Sequence, residues 1–134
     1  MGNTKYRFCI IRYIPNPVRG EFVNIGILIQ PLDSEGMGAL IRMTNDWSRV
    51  RRFFPDADVT MLAALEQNLR DQIIQNSGDA STVLRFLEEC SLGIEATELH
   101  SGLAANLEAR LQELIEVYVD DPSSLRPIPL DSAQ

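Results

Sequence analysis

KYRFCIIRYIPNPVRGEFVNIGILIQ, residues 5–30, decides the fold. Its first nine residues, Lys5 to Tyr13, are aromatic and β-branched, the composition of a strand, and both faces are largely apolar. Such a strand belongs in the middle of a sheet. Residues 22–30 predict a second strand, in which Val23, Ile25, Ile27 and Ile29 alternate and should line one buried face. Gly26 falls on the other face, where a missing side chain marks a bulge or the close approach of another backbone. The connector, Ile14 to Glu21, is stiff: Pro15 and Pro17 fix their own φ and push Ile14 and Asn16 toward extended geometry. Gly20 can turn the chain at positive φ.

Working outward, Pro31 to Gly36 reads as a turn and residues 37–43 as a third strand, which together predict an antiparallel meander. The period then changes. Asn45 or Asp46 can cap a helix over 46–54, with Trp47, Val50 and Phe54 on one face and Pro55 at its end. Asp58 caps a helix over 59–76, striped by Leu62, Leu65, Leu69 and Ile73 and stopped by Asn76-Ser77-Gly78. Asp79 caps a helix over 80–90, ended near Gly93. Residues 94–99 form a weak fourth strand. Leu103, Leu107, Leu111, Leu114, Ile115 and Tyr118 define a helix over 103–119, with Ser101 as its cap. Strands first and helices after predict an α+β fold in two layers, a three- to four-stranded antiparallel sheet packed by three to four helices. The domain spans 1–119. Residues 120–134 form an acidic, proline-rich tail, extended at most.

Composition removes several function classes. The chain has 134 residues, one histidine and two cysteines, Cys9 and Cys90, both inside apolar runs. No disulfide framework, C-x-x-C pair, H-E-x-x-H helix or EF-hand loop is present, so neither a metal nor a cofactor is expected. With Lys5 as the single lysine a P-loop is impossible, and Gly36-Met37-Gly38 lacks the third glycine of a dinucleotide fingerprint. No apolar run reaches the roughly 18 residues of a membrane span, and the N-terminus has no signal-peptide shape. A cytoplasmic location is the expectation.

The polar residues around the stiff loop are the candidate site. Arg12 and Arg19 offer forked donors to a phosphate or carboxylate, Glu21 is the candidate general base, and Asn24 is an orienting amide. The plainer alternative is that Arg19 and Glu21 pair with each other while Asn24 ties down a carbonyl.

Residues 12–26 resemble the signature of the bacterial family known as domain of unknown function 3037. An Arg-Tyr pair ends a strand, prolines follow, then R-x-E, then N-x-G in the next strand. These motifs fall on Arg12, Tyr13, Pro15, Arg19, Glu21, Asn24 and Gly26. The resemblance implies a small cytoplasmic bacterial domain of unassigned activity. It also implies an accessory role, since genes of the family neighbour those of HipA-like serine/threonine kinases of the toxin–antitoxin or stress type.

Charge is uneven. The first 55 residues carry eight basic and four acidic side chains, the remainder four and fifteen, for a net charge of −7. Arg49, Arg51 and Arg52 beside Trp47, Phe53 and Phe54 mimic a nucleic-acid patch. An amphipathic helix with its aromatics in the core explains the same residues, and an acidic chain is a poor nucleic-acid binder. The leading expectation is a non-catalytic module that binds a protein partner, a HipA-like kinase or a second copy, using Arg12, Tyr13, Arg19, Glu21 and Asn24. A small enzyme or sensor for an anionic ligand is the alternative, and nucleic-acid binding comes third.

Overall fold

A computed structural model describes residues 3–16, 18–32, 38–76, 79, 81–89 and 93–120. The expectations for Pro17, for the turn at 33–36, for Met37, for the helix stop at Ser77-Gly78, for Cys90 and for the tail from residue 121 lie outside these residues.

The class is α+β, with one antiparallel sheet and four helices. Strands β1 (Thr4–Tyr13), β2 (Val23–Pro31) and β3 (Leu40–Met43) form the expected meander. Helices α1 (Trp47–Phe53), α2 (Val59–Gln75) and α3 (Ser81–Glu89) follow, then strands β4 (Ile94–Ala96) and β5 (His100–Ala104), then helix α4 (Leu107–Tyr118). The first three helices start on the carboxylates read from the sequence. Asp46 accepts from Ser48 N, Asp58 from Met61 N and Asp79 from Ser81 N. Each satisfies an orphan N–H of a first turn.

Strand β1 is central. One edge pairs along its length with β2. The other pairs with β4 at Ile11–Tyr13 and with β5 at Thr4–Phe8. Between the two short strands, Thr97 N donates to Ile10 O and Ile10 N donates to Thr97 Oγ1, both at 2.9 Å. A threonine hydroxyl thus completes the ladder where the backbone leaves it.

Residues 100–104 are a strand, not the start of the last helix. Leu103 is half-exposed, and Asn106, rather than Ser101, caps α4 by accepting from Ala109 N at 2.9 Å. The layering also differs from expectation. Cys9, Ile11 and Tyr13 pack toward α2 and α3, while Tyr6, Phe8 and Ile10 pack with Leu107, Leu111, Leu114 and Ile115 of α4. Helices therefore cover both faces, in three layers instead of two.

A bulge in β2 explains a second correction. Ile11 pairs with Gly26 and Arg12 with Asn24, so Ile25 has no partner on β1 and the alternation slips by one. Val23 and Ile25 lie in the core under α1–α3, whereas Ile27 and Ile29 lie under α4. The four residues do not share a face. The slip makes both faces of β2 apolar, as a strand covered twice requires.

Cys9 is fully buried in this core. Burial pushes its thiol from the ordinary 9.0 up to about 11. At pH 8 roughly one thiol in a thousand is then ionised. In a Cys90→Ser chain, Cys9 is expected to react with a thiol reagent at least about 100-fold more slowly in the native state than in urea. Equal rates would contradict this packing. The same raised value implies that stability is retained below pH 9 and lost as pH rises through 9 toward 11, because only the unfolded thiol ionises there.

Candidate functional site

The ends of β1, β2, β3 and β4 that carry Tyr13, Val23, Met43 and Ile94 converge at one end of the sheet. The β1–β2 loop, α1 and the last residues of α4 meet there, and they build two different arrangements.

The first is a clamp on the end of α4. Arg12 Nε donates to Asn24 Oδ1 at 3.1 Å, and Asn24 Nδ2 donates to Tyr118 O at 3.0 Å. The Arg12 guanidinium lies over the Phe22 ring, 4.1 Å from its centroid. Burial pulls the Arg12 pKa down, and the nearby Glu95 carboxylate opposes that shift. From the other side comes Arg49, which is buried. Its Nη2 donates to Thr44 Oγ1 at 2.8 Å and to Val119 O at 3.1 Å, and its Nη1 donates to Asp120 O at 3.1 Å. The same guanidinium pairs with the Asp120 carboxylate at 3.3 Å. Helix C-termini leave carbonyls without partners, and cationic donors suit them. Three consecutive carbonyls, from Tyr118 to Asp120, are thereby held by Asn24 and Arg49. Among the described residues no buried side-chain nitrogen or oxygen lacks a partner.

The second arrangement is a cleft of about 480 Å³ between the β1–β2 loop and the α1–α2 linker. The loop supplies Pro15, Asn16, Arg19 and Glu21 to one wall. Asn16 holds the loop's shape: its side-chain Oδ1 accepts from Val18 N and its carbonyl from Arg19 N, both at 3.1 Å. Gly20 turns at a φ of 72°, a left-handed value that favours glycine. Arg19 and Glu21 pair across that turn at 3.3 Å, with most of the arginine in solvent. Phe53, Phe54, Pro55, Asp56 and Ala57 form the facing wall, with Tyr13 between. Tyr13 and Phe54 meet edge to face, 5.7 Å between ring centres. Burial, reinforced by the Asp58 carboxylate, raises the Tyr13 phenol. Core packing fixes Tyr13 and Phe54, and Phe53 rests against the Phe54 ring, 5.8 Å between ring centres.

A family model described as a protein of unknown function, DUF3037, matches residues 8–119. The chain belongs to the DUF3037 family. No curated protein and no solved structure matches it.

Within this DUF3037 domain the sequence-read residues divide. Tyr13, Arg19 and Glu21 meet at the cleft. Arg12 and Asn24 belong to the clamp and are absent from the cleft's lining. The Arg19–Glu21 pairing is the plainer alternative read from the loop, and the carbonyl that Asn24 ties down is that of Tyr118. Arg49, Arg51 and Arg52 do not form one patch, because Arg49 points its donors inward while Arg51 and Arg52 are exposed. Of the facing wall, residues 53–57, the sequence marks Phe53 and Phe54 beside the basic residues and does not link the wall to the loop. Its signal was Pro55, flanked by two aromatics and an aspartate. No helix among the described residues is long and apolar enough to cross a membrane.

Proposed function

We propose that the protein is a non-catalytic interaction module that docks a protein partner at this cleft. The observation that carries the reading is the lining: Tyr13, Phe53 and Phe54 between Pro15 and Pro55, with Arg19, Glu21 and Asp56 at the rim. Rigid aromatics inside a polar rim are the anatomy of interface hot spots, because they bury area at little entropic cost. The resemblance that introduced HipA-like kinases makes a serine/threonine kinase the first partner to look for, and a second copy of the chain the next. The anionic-ligand alternative loses a cation: Arg12 is committed to Asn24 and Phe22, and Arg19 is already paired. Glu21, tied to Arg19, remains that reading's base. Arg51 and Arg52 alone remain to the nucleic-acid reading.

The test is affinity purification of the tagged full chain from its host, with mass spectrometry. Wild type is compared with a Phe53→Ser/Glu21→Lys double variant. Wild type is expected to bring down a protein in near-stoichiometric amount. Removing a hot-spot aromatic costs about 2 kcal/mol, roughly 30-fold in affinity, so the double variant should lose it. Recovery of the chain alone, or equal capture by both, would overturn the reading.

A further inference from the structure

The cleft holds a polar group that the fold leaves unused. Tyr13 is only 8% exposed and lines the cleft, yet its hydroxyl has no hydrogen-bond partner among the described residues. No side-chain oxygen or nitrogen sealed from solvent lacks a partner there, so the hydroxyl is the part of Tyr13 that reaches the cleft surface. A tyrosine this deeply packed ordinarily has its hydroxyl satisfied. The Asp56 carboxylate, in the facing wall, likewise has neither ion pair nor hydrogen bond among the described residues. We propose that the cleft takes an arginine side chain presented by the partner protein, its guanidinium against the Phe53 and Phe54 rings and its N–H groups donating to Tyr13 Oη and the Asp56 carboxylate.

Three observations carry this. The free acceptors match the group: a guanidinium is a planar fork of N–H donors that accepts nothing, and a phenol oxygen and a carboxylate both accept. The walls match its plane. Cations are attracted to the faces of aromatic rings, and arginine stacks on them. The chain itself makes this contact at Arg12, whose guanidinium lies 4.1 Å from the centre of the Phe22 ring. Charge matches as well. Glu21 and Asp56 line the cleft against Arg19 alone, and Arg19 is already paired with Glu21. Just beyond the wall in sequence, Asp58 caps α2, and its carboxylate adds to burial in raising the Tyr13 phenol, the mark of a negative field at that hydroxyl. A cation entering there is attracted and an anion repelled.

The inference rests on the reading of the cleft as a protein-docking surface and adds what the partner presents to it. The experiment titrates the full chain, labelled with nitrogen-15, with millimolar amounts of an acetylated and amidated peptide, Ala-Ala-Arg-Ala-Ala. The control is the same peptide carrying citrulline, an uncharged near-isostere of arginine. The amide signals of Glu21, Phe53, Asp56 and Ala57 should move saturably with the arginine peptide while those of β5 stay in place. The citrulline peptide should bind about tenfold more weakly, and Tyr13→Phe and Asp56→Asn should each weaken the arginine peptide severalfold. Both substitutions keep the side chain's shape, and neither removes a hydrogen bond found among the described residues. Unmoved cleft amides, equal binding of the two peptides, or undiminished binding by a Tyr13→Phe/Asp56→Asn chain would overturn the proposal. Cleft amides that move when the free chain is diluted would overturn it too, by making a second copy the occupant. If the arginine peptide leaves the cleft amides in place while Phe53→Ser/Glu21→Lys still abolishes capture, the docking cleft stands and the arginine anchor falls.

Discussion

Gly26→Ala should lower folding stability by about 2–3 kcal/mol, the range for forcing atoms into a filled interior. A β-carbon at position 26 would sit 2.4 Å from Met43 Sδ and 2.9 Å from Arg42 O. The methionine sulfur belongs to a flexible side chain, but Met43 is almost fully buried and has nowhere to go. The carbonyl belongs to the neighbouring strand and cannot retreat without breaking the ladder between β2 and β3. The cost is therefore steric, from two backbones brought together beside the bulge. For a domain of this size the expected loss corresponds to roughly 10 °C in Tm. Adding Met43→Ala should cost less in the Gly26→Ala background than in wild type, because the second change removes one of the two clashes. Urea unfolding of the four chains measures both statements. A Gly26→Ala chain within about 0.5 kcal/mol of wild type would mean that the register at the bulge is wrong.

Arg49→Met should cost about 3 kcal/mol, the scale for breaking a buried charged network and leaving carbonyls unpartnered. Its guanidinium serves Thr44, Val119 and Asp120 together, from one planar group. Arg49→Lys should recover only part of the loss, since an ammonium is a point charge and cannot reach all of these acceptors at once. The damage should be local before it is global. Backbone amides of the last turn of α4, Tyr118 to Asp120, should exchange with solvent faster in Arg49→Met than in wild type. Arg51→Met and Arg52→Met, at exposed positions of the same helix, should stay within about 0.5 kcal/mol. If all three arginines behave alike, the clamp has been misassigned and the basic-patch reading returns.

These two residues also mark the limits of sequence reading. The helix caps at Asp46, Asp58 and Asp79 were legible because a cap is a local matter of a few residues. The meander was legible because its strands are consecutive. The bulge was not: a slip of one residue is a property of two strands, and Val23, Ile25, Ile27 and Ile29 alternate perfectly within one. Gly26 carried the hint. The layer of α4 on the second face was half-written in β1, whose two apolar faces call for two covers. Leu103 concealed β5, because its spacing to Leu107 and Leu111 continues a helical stripe backward past the true cap at Asn106. The site divides on the same principle. A stiff loop with an Arg19–Glu21 pair can be read from prolines and near neighbours. That Asn24 would hold a carbonyl 94 residues away, or that Arg49 would turn inward to meet the same helix end, depends on which elements become neighbours in space.

On the proposed function, the cleft between the β1–β2 loop and the α1–α2 linker docks a protein partner. Site-specific photo-crosslinking tests it most directly, with a photoreactive residue placed at Phe53 in the full chain within the host. Arg85, exposed on α3, is the control position. One dominant protein adduct is expected from position 53 and none from position 85. Adducts of equal yield from both positions, or none from position 53, would contradict it.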